Sequence, residues 1–151
     1  MGSRGSGGRE DAALTLARRV HADQVDKSGS PYVEHCIRVA AKCGDEKARV
    51  VALLHDVLED TPTPKDALRS QFGDEIVDAV VALTRQPGES PEDYYARVRN
   101  NSLGLRVKLA DLHDNLEPSR LSQLDQETVR WLLRKYGKAY IALSVGEDSS
   151  A

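Results

Sequence analysis

Between Leu54 and Asp60 the chain reads Leu-His-Asp-Val-Leu-Glu-Asp, and four of those residues, His55, Asp56, Glu59 and Asp60, can hold a metal ion or move a proton. They follow an apolar run, Ala48, Val50, Val51, Ala52, Leu53 and Leu54, that reads as a buried helix, so the polar groups point at something. On one continuous helix Glu59 lies a turn beyond His55, and Asp60 a turn beyond Asp56. One turn can then hold a cation while the next supplies acid and base. Adjacent His55 and Asp56 diverge by about 100° around the axis, yet both can converge on an ion in a groove between this helix and a neighbour. Three carboxylates this close repel one another, and burying them unpaired costs several kcal/mol, a difficulty that a divalent cation removes. The alternative is a helix end opening into solvent, its acids hydrated ahead of Thr61-Pro62-Thr63-Pro64.

Two further stretches combine apolar helical packing with groups that can ligate. Tyr32-Val33-Glu34-His35 opens one helix, and Val107-Lys108-Leu109-Ala110-Asp111 runs on to Asn115, which stands four residues from Asp111 on the same face. Taken singly, His35 reads equally as a satisfied structural histidine and Asp111 as a solvated acid. As a set, imidazoles and carboxylates suit a transition metal such as manganese or iron, and accommodate zinc as well.

The elements that must position these residues are helical. Residues 10 to 25 carry apolar positions at Ala13, Leu14, Leu16, Ala17 and Val20, and end at a loop, Asp26-Lys27-Ser28-Gly29-Ser30-Pro31, punctuated by Gly and Pro. A helix from Tyr32 to Cys43 follows, and Asp45 can cap the next, which carries His55 and Asp56. The Thr-Pro-Thr-Pro step ends that helix, because proline lacks an amide donor and disfavours helical geometry in the residue before it. The pattern then predicts helices over residues 65–72, from Gly73-Asp74 through Leu83, from Ser90-Pro91 to about Asn100, over 103–116 and over 126–145, with a turn at Gln86-Pro87-Gly88. No repeat and no strand-like alternation of useful length interrupts them, so the fold class is all-α, a bundle of seven or eight helices. Residues 1–9 and 146–151 read as flexible tails flanking one domain over 10–145.

Composition limits the partners. At 151 residues, 40% hydrophobic and 30% charged, the chain reads as one soluble globular domain large enough to bury a core without disulfides. A net charge of −3 offers no general field for nucleic acid or for a membrane surface, so the expected partner is small. Cys36 and Cys43, seven apart on one helix, sit about 10 Å apart along its axis, too far for a disulfide, and read as buried thiols of a reducing compartment. With no long apolar segment and no signal-peptide pattern, the expected location is cytoplasmic.

Taken together, His21-Ala22-Asp23-Gln24 and the stretch Lys27 to His35, then His55-Asp56-Val57-Leu58-Glu59-Asp60-Thr61, then Val107 to Asp111 with Asn115 resemble HD-domain phosphohydrolases over about residues 10 to 145. The resemblance is to the hydrolase domain of RelA/SpoT-type alarmone enzymes and the stand-alone small alarmone hydrolases. It implies an HD-domain helical bundle in which His35, His55, Asp56 and Asp111 bind one divalent metal, usually Mn2+, while Glu59 and Asp60 serve the catalytic water and the proton transfers. It also implies that Lys27 and Ser28 meet the nucleotide, that Asn115 lies near the sugar, and that Tyr136 contacts substrate, although packing into the core explains an aromatic at that spacing equally. Lys108 either braces the site or touches phosphate. In the family, the reaction removes the 3′-pyrophosphate of ppGpp or pppGpp, and metazoan-type relatives also remove a phosphate from NADPH.

One position departs from the pattern. The family usually has an arginine immediately before the loop lysine, where its plane can stack on a purine, and this chain has Asp26. An acid there cannot stack as a cation and is expected to repel a polyphosphate, which opens the substrate to an adenosine alarmone, NADPH or another nucleotide phosphate. A domain that senses nucleotides without catalysis is the reading from another class, and an idle domain has no need of a repulsive acid cluster.

Overall fold

The computed structural model describes residues 4–26, 28–60 and 62–149, and the side chains of these except at 4–7, 60 and 145–149. The helices in chain order are α1 (Arg4–Val20), α2 (Tyr32–Ala41), α3 (Glu46–Leu54), α4 (Val57–Asp60), α5 (Lys65–Phe72), α6 (Asp74–Leu83), α7 (Pro91–Arg99), α8 (Ser102–Asn115), α9 (Pro118–Leu121) and α10 (Gln126–Ser149). The fold is all-α, and among the described residues the one strand-like pairing is an isolated bridge between Val25 and Pro31 that closes the loop before α2. None of the described helices is long and apolar enough to cross a membrane.

The centre of the bundle is α3, and its composition makes it so. Val50, Val51, Ala52, Leu53 and Leu54 leave no polar face over their turn and a half, so the helix must be covered all round. It packs against α1, α2, α6 and α8, and Val50, Val51, Ala52 and Leu54 are wholly buried. Each aliphatic side chain withdrawn from water there contributes roughly 1.5–3 kcal/mol. The start of α3 is fixed locally, since the Asp45 side chain accepts from the Ala48 amide at 2.8 Å. Ser90 caps α7 in the same way through the Asp93 amide, and Asn101 caps α8 through the Gly104 amide. At Gly104 α8 comes close to α6: a Cβ there would lie 3.6 Å from the Ala79 carbonyl oxygen and 3.3 Å from Asn101 Oδ1.

The observed elements depart from the sequence pattern in several places. The helix expected to run without interruption through His55, Asp56, Glu59 and Asp60 stops at Leu54 and resumes at Val57. The short helix α9 falls in a stretch read as a connection. Helical backbone also extends at both ends into stretches assigned to tails, from Arg4 and on to Ser149, because each residue added to a formed helix gains a hydrogen bond without a new nucleation cost.

Candidate active site

The interruption between α3 and α4 builds the site. The His55 ring Nδ1 lies 2.6 Å from the Ala52 carbonyl, the group to which the Asp56 amide bonds in a continuous helix. The ring thereby caps α3, and its Nε2 is turned toward Asp56 Oδ2 at 3.1 Å and Asp111 Oδ1 at 3.7 Å. His35 arrives from the first turn of α2, with Nε2 2.7 Å from the same Asp111 oxygen. Asp111, from the middle of α8, thus stands between the two imidazoles. Ligand atoms of His35, His55 and Asp111, all buried, lie within 4.8 Å of one another, and Cys36, His55 and Asp56 form a second such group beside it.

These donors fit a divalent cation. The imidazoles of His35 and His55 and the Asp111 carboxylate offer donor atoms within reach of one ion, Asp56 stands beside His55, and other chain groups hold each of them from behind. His35 Nδ1 is 2.7 Å from Asp114 Oδ2, which orients the ring with Nε2 inward. The Tyr32 hydroxyl donates to Asp56 Oδ2. Lys108 Nζ reaches Asp111 Oδ2 at 3.2 Å, and the Asn115 amide donates to Asp111 Oδ1 at 3.3 Å. Asn115, expected near a sugar, therefore also braces Asp111.

Charge in the site is strongly coupled. Burial disfavours the imidazolium of His55, but the Asp56 and Asp111 carboxylates outweigh it and hold the ring's pKa at about 9. Burial alone would raise Asp56, yet His55 and the Tyr32 hydroxyl bring it down to about 2. Asp111 is likewise pulled far below the usual carboxylate range against its burial, by Lys108 first and then by the two histidines. The acids of the site are thus balanced by the Lys108 ammonium and by the neighbouring imidazoles, whose pKa values are raised in turn.

Above this floor opens a cleft of about 440 Å³. Glu59, Arg85, Tyr94 and Lys108 line one part of it, and Ser28, Tyr32, Leu121, Leu124 and Tyr136 another. Since α4 is a separate turn, Glu59 does not stack on His55 as a continuous helix requires. It stands exposed at the cleft wall, with Oε1 accepting from the Arg85 amide at 2.8 Å. Tyr136 is half-buried, and the Lys135 ammonium lies 5.4 Å from its ring. Lys27 lies outside the described residues, as does the side chain of Asp60.

Asp26 behaves otherwise than its charge suggested. Its Oδ1 accepts from the Ser28 amide and hydroxyl and from the Ser30 amide at 2.8–3.0 Å, and its Oδ2 accepts from Arg120 Nη2 at 3.0 Å. Its side chain is only 8% exposed, and its charge is engaged within the protein. Gly29, at φ 87°, supplies the left-handed turn that this wrapping of the loop needs.

Sequence reasoning missed Asp114 and Arg120. Asp114 is fully buried and meets Arg38 Nε at 3.0 Å, Lys42 Nζ at 3.5 Å and Arg120 Nη1 at 3.0 Å as well as His35. Its spacing three residues beyond Asp111 on one helix face was a usable signal. No local signal marked Arg120.

Residues 13–101 match the family model for the HD domain. This chain belongs to the HD-domain family. It is 30% identical over 139 residues to the guanosine-3′,5′-bis(diphosphate) 3′-pyrophosphohydrolase of Aquifex aeolicus, a match covering 86% of this chain and 19% of that protein. With the enzyme of the same name from Haemophilus influenzae the identity is 35% over 136 residues, covering 76% of this chain and 20% of that one. The chain thus spans about a fifth of the length of these curated relatives. The fold is similar to a solved structure of a metazoan ortholog of SpoT that hydrolyzes ppGpp, with a TM-score of 0.71 and 26% identity, covering 91% of this chain and 86% of that one.

Proposed function

We propose that this HD domain is a metal-dependent nucleotide pyrophosphohydrolase that removes the 3′-pyrophosphate of ppGpp or pppGpp, with Mn2+ as its metal. The observation that carries the reading is the convergence of His35, His55 and Asp111 on one buried point beneath a cleft walled by Glu59, Arg85 and Lys108. The activities named for the relatives and for the similar solved structure support the same substrate class.

In this reading His35, His55, Asp56 and Asp111 hold the cation. A divalent cation held there neutralises phosphate oxygens and acidifies water. The chain's own groups do the rest. Asp114 and the Ala52 carbonyl keep the two imidazoles aimed inward, and Tyr32 keeps Asp56 from turning away. Glu59, fixed by the Arg85 amide, accepts a proton from the attacking water as its oxygen bonds to the phosphorus next to the 3′ oxygen. The bond from that phosphorus to the 3′ oxygen breaks, pyrophosphate departs with the hydroxyl of the water, and the 3′ oxygen takes up a proton, for which Asp60 is the donor. Lys27 and Ser28 hold the nucleotide from the loop before α2, with Asn115 near the sugar and Tyr136 at the far wall.

A second substrate reading follows from Asp26. The loop position that carries a stacking arginine in the family holds Asp26, whose carboxylate is bound within the loop and to Arg120. An adenosine alarmone or NADPH then competes with ppGpp for the role of substrate. Incubating the purified protein and Mn2+ with ppGpp, ppApp and NADPH, and identifying the products, decides between them. Pyrophosphate from ppGpp at the highest kcat/KM is the expected result. Turnover of none of the three overturns the enzymatic reading.

A further inference from the structure

Arg120 joins two parts of the site that the chain places far apart. From α9 its guanidinium divides between two carboxylates: Nη2 donates to Asp26 Oδ2 at 3.0 Å, and Nη1 donates to Asp114 Oδ2 at 3.0 Å and to the Asp114 carbonyl at 3.3 Å. The Asp114 oxygen that receives Arg120 also lies 2.7 Å from His35 Nδ1. The opposite edge of that imidazole faces Asp111 in the metal centre. At the other end, the second oxygen of Asp26 gathers the Ser28 and Ser30 amides. An unbroken run of hydrogen bonds therefore leads from the backbone of the loop before α2, through Asp26, Arg120 and Asp114, to His35.

Charge balance alone does not account for Arg120. Asp114 already meets Arg38 and Lys42, so its buried carboxylate is compensated from its other side. What Arg120 alone supplies is the tie to Asp26. A planar guanidinium can serve two acids at once in fixed geometry, whereas an ammonium at the same place offers a single point of charge. The exposures, 22% for Arg120, 8% for Asp26 and 0% for Asp114, show that little solvent screens the run.

We propose that Arg120 is a positioning residue which couples the geometry of the loop before α2 to the orientation of the metal ligand His35, so that the loop sets the affinity of the centre for its cation. This rests on the proposed metal site, but its readout requires no substrate. Mn2+ dissociation constants are measured, from the free-ion signal in electron paramagnetic resonance, for the unaltered protein, Arg120→Gln, Asp26→Asn and the double variant. Asp26→Asn keeps an oxygen for the Ser28 and Ser30 amides and turns an amide group toward Arg120, so it cuts only the tie. The expected result is weakening by about tenfold in each single variant, the lower end of the range for partners that orient metal ligands, and no further loss in the double variant. Independent effects that multiply in the double variant overturn the proposal, as does Mn2+ affinity within twofold of the original in Asp26→Asn. If Arg120→Gln does not fold, Arg120→Lys takes its place, and retention of full Mn2+ affinity there again overturns it. Absence of Mn2+ binding by the unaltered protein overturns both this proposal and the metal-dependent function. Mn2+ binding without hydrolysis of any nucleotide removes only the function.

Discussion

Glu59 and His55 stand four residues apart in sequence and are assigned different roles in the proposed reaction because their surroundings differ. His55 is 5% exposed and turned toward two carboxylates, whereas Glu59 is exposed at the cleft wall and held through one oxygen by a backbone amide. An exposed carboxylate at a cleft wall is suited to exchange protons with water. Glu59→Gln keeps the shape and the acceptor for the Arg85 amide while removing the base. We expect kcat to fall by about 10²–10⁴-fold, with Mn2+ affinity and the thermal midpoint near those of the original protein. Turnover within a few fold of the original would transfer the role to another group, Asp60 first. Asp26 carries the complementary lesson: a charge that reads from sequence as facing a ligand is engaged instead by three loop donors and a guanidinium.

At the scale of elements, the break between α3 and α4 does more for the site than either helix. A continuous helix would point His55 and Asp56 about 100° apart. The turn instead brings Asp56 Oδ2 within 3.1 Å of His55 Nε2, and it was invisible in the sequence because no Gly or Pro marks a break between Leu54 and Leu58. The energy that favours the turn comes from outside the segment, from the Tyr32 hydroxyl on Asp56 and the Asp111 carboxylate near His55. The other end of α3 is decided locally. Asp45 accepts from the Ala48 amide and also pairs with Arg106 Nη1 at 2.9 Å, but that ion pair is half exposed and adds little. Asp45→Ala should cost about 1 kcal/mol of unfolding free energy, the usual loss for an N-cap, measurable by urea denaturation. A change below about 0.3 kcal/mol would mean that the burial of α3 sets its start without help from the cap.

At the scale of the whole molecule, the proposed metal site makes cation and protons competitors for His55. His55 is held at about 9 against an ordinary 6.5, so in the metal-free protein its stabilising contribution is complete below pH 6.5 and disappears as pH rises through about 9. Asp56, lowered to about 2, contributes above pH 3.8 and loses its contribution as pH falls through about 2. In the proposed reading a cation displaces the His55 proton, so its affinity should rise by about tenfold per pH unit for each proton released, up to about pH 9. Calorimetric scans at pH 6.5, 7.5 and 8.5 should therefore show the thermal midpoint of the metal-free protein falling while the increment given by Mn2+ grows. An increment that shrinks as pH rises would place the cation away from His55. How much of this was legible beforehand follows from the range of the interactions concerned. The sequence by itself determined the all-α class, the bounds of α5 and α6, the caps of α3 and α7 and the ligand-capable groups His35, His55, Asp56 and Asp111, because periodicity, capping and turn residues act within a few positions along the chain. Only the tertiary structure decided that α3 ends at His55, that Asp114 stands behind His35 and that Asp26 is neutralised by Arg120, since those pairs are 79 and 94 residues apart in the latter two cases. Contacts of that separation form only when packing brings α2, α8, α9 and the loop before α2 together, and no local pattern encodes them.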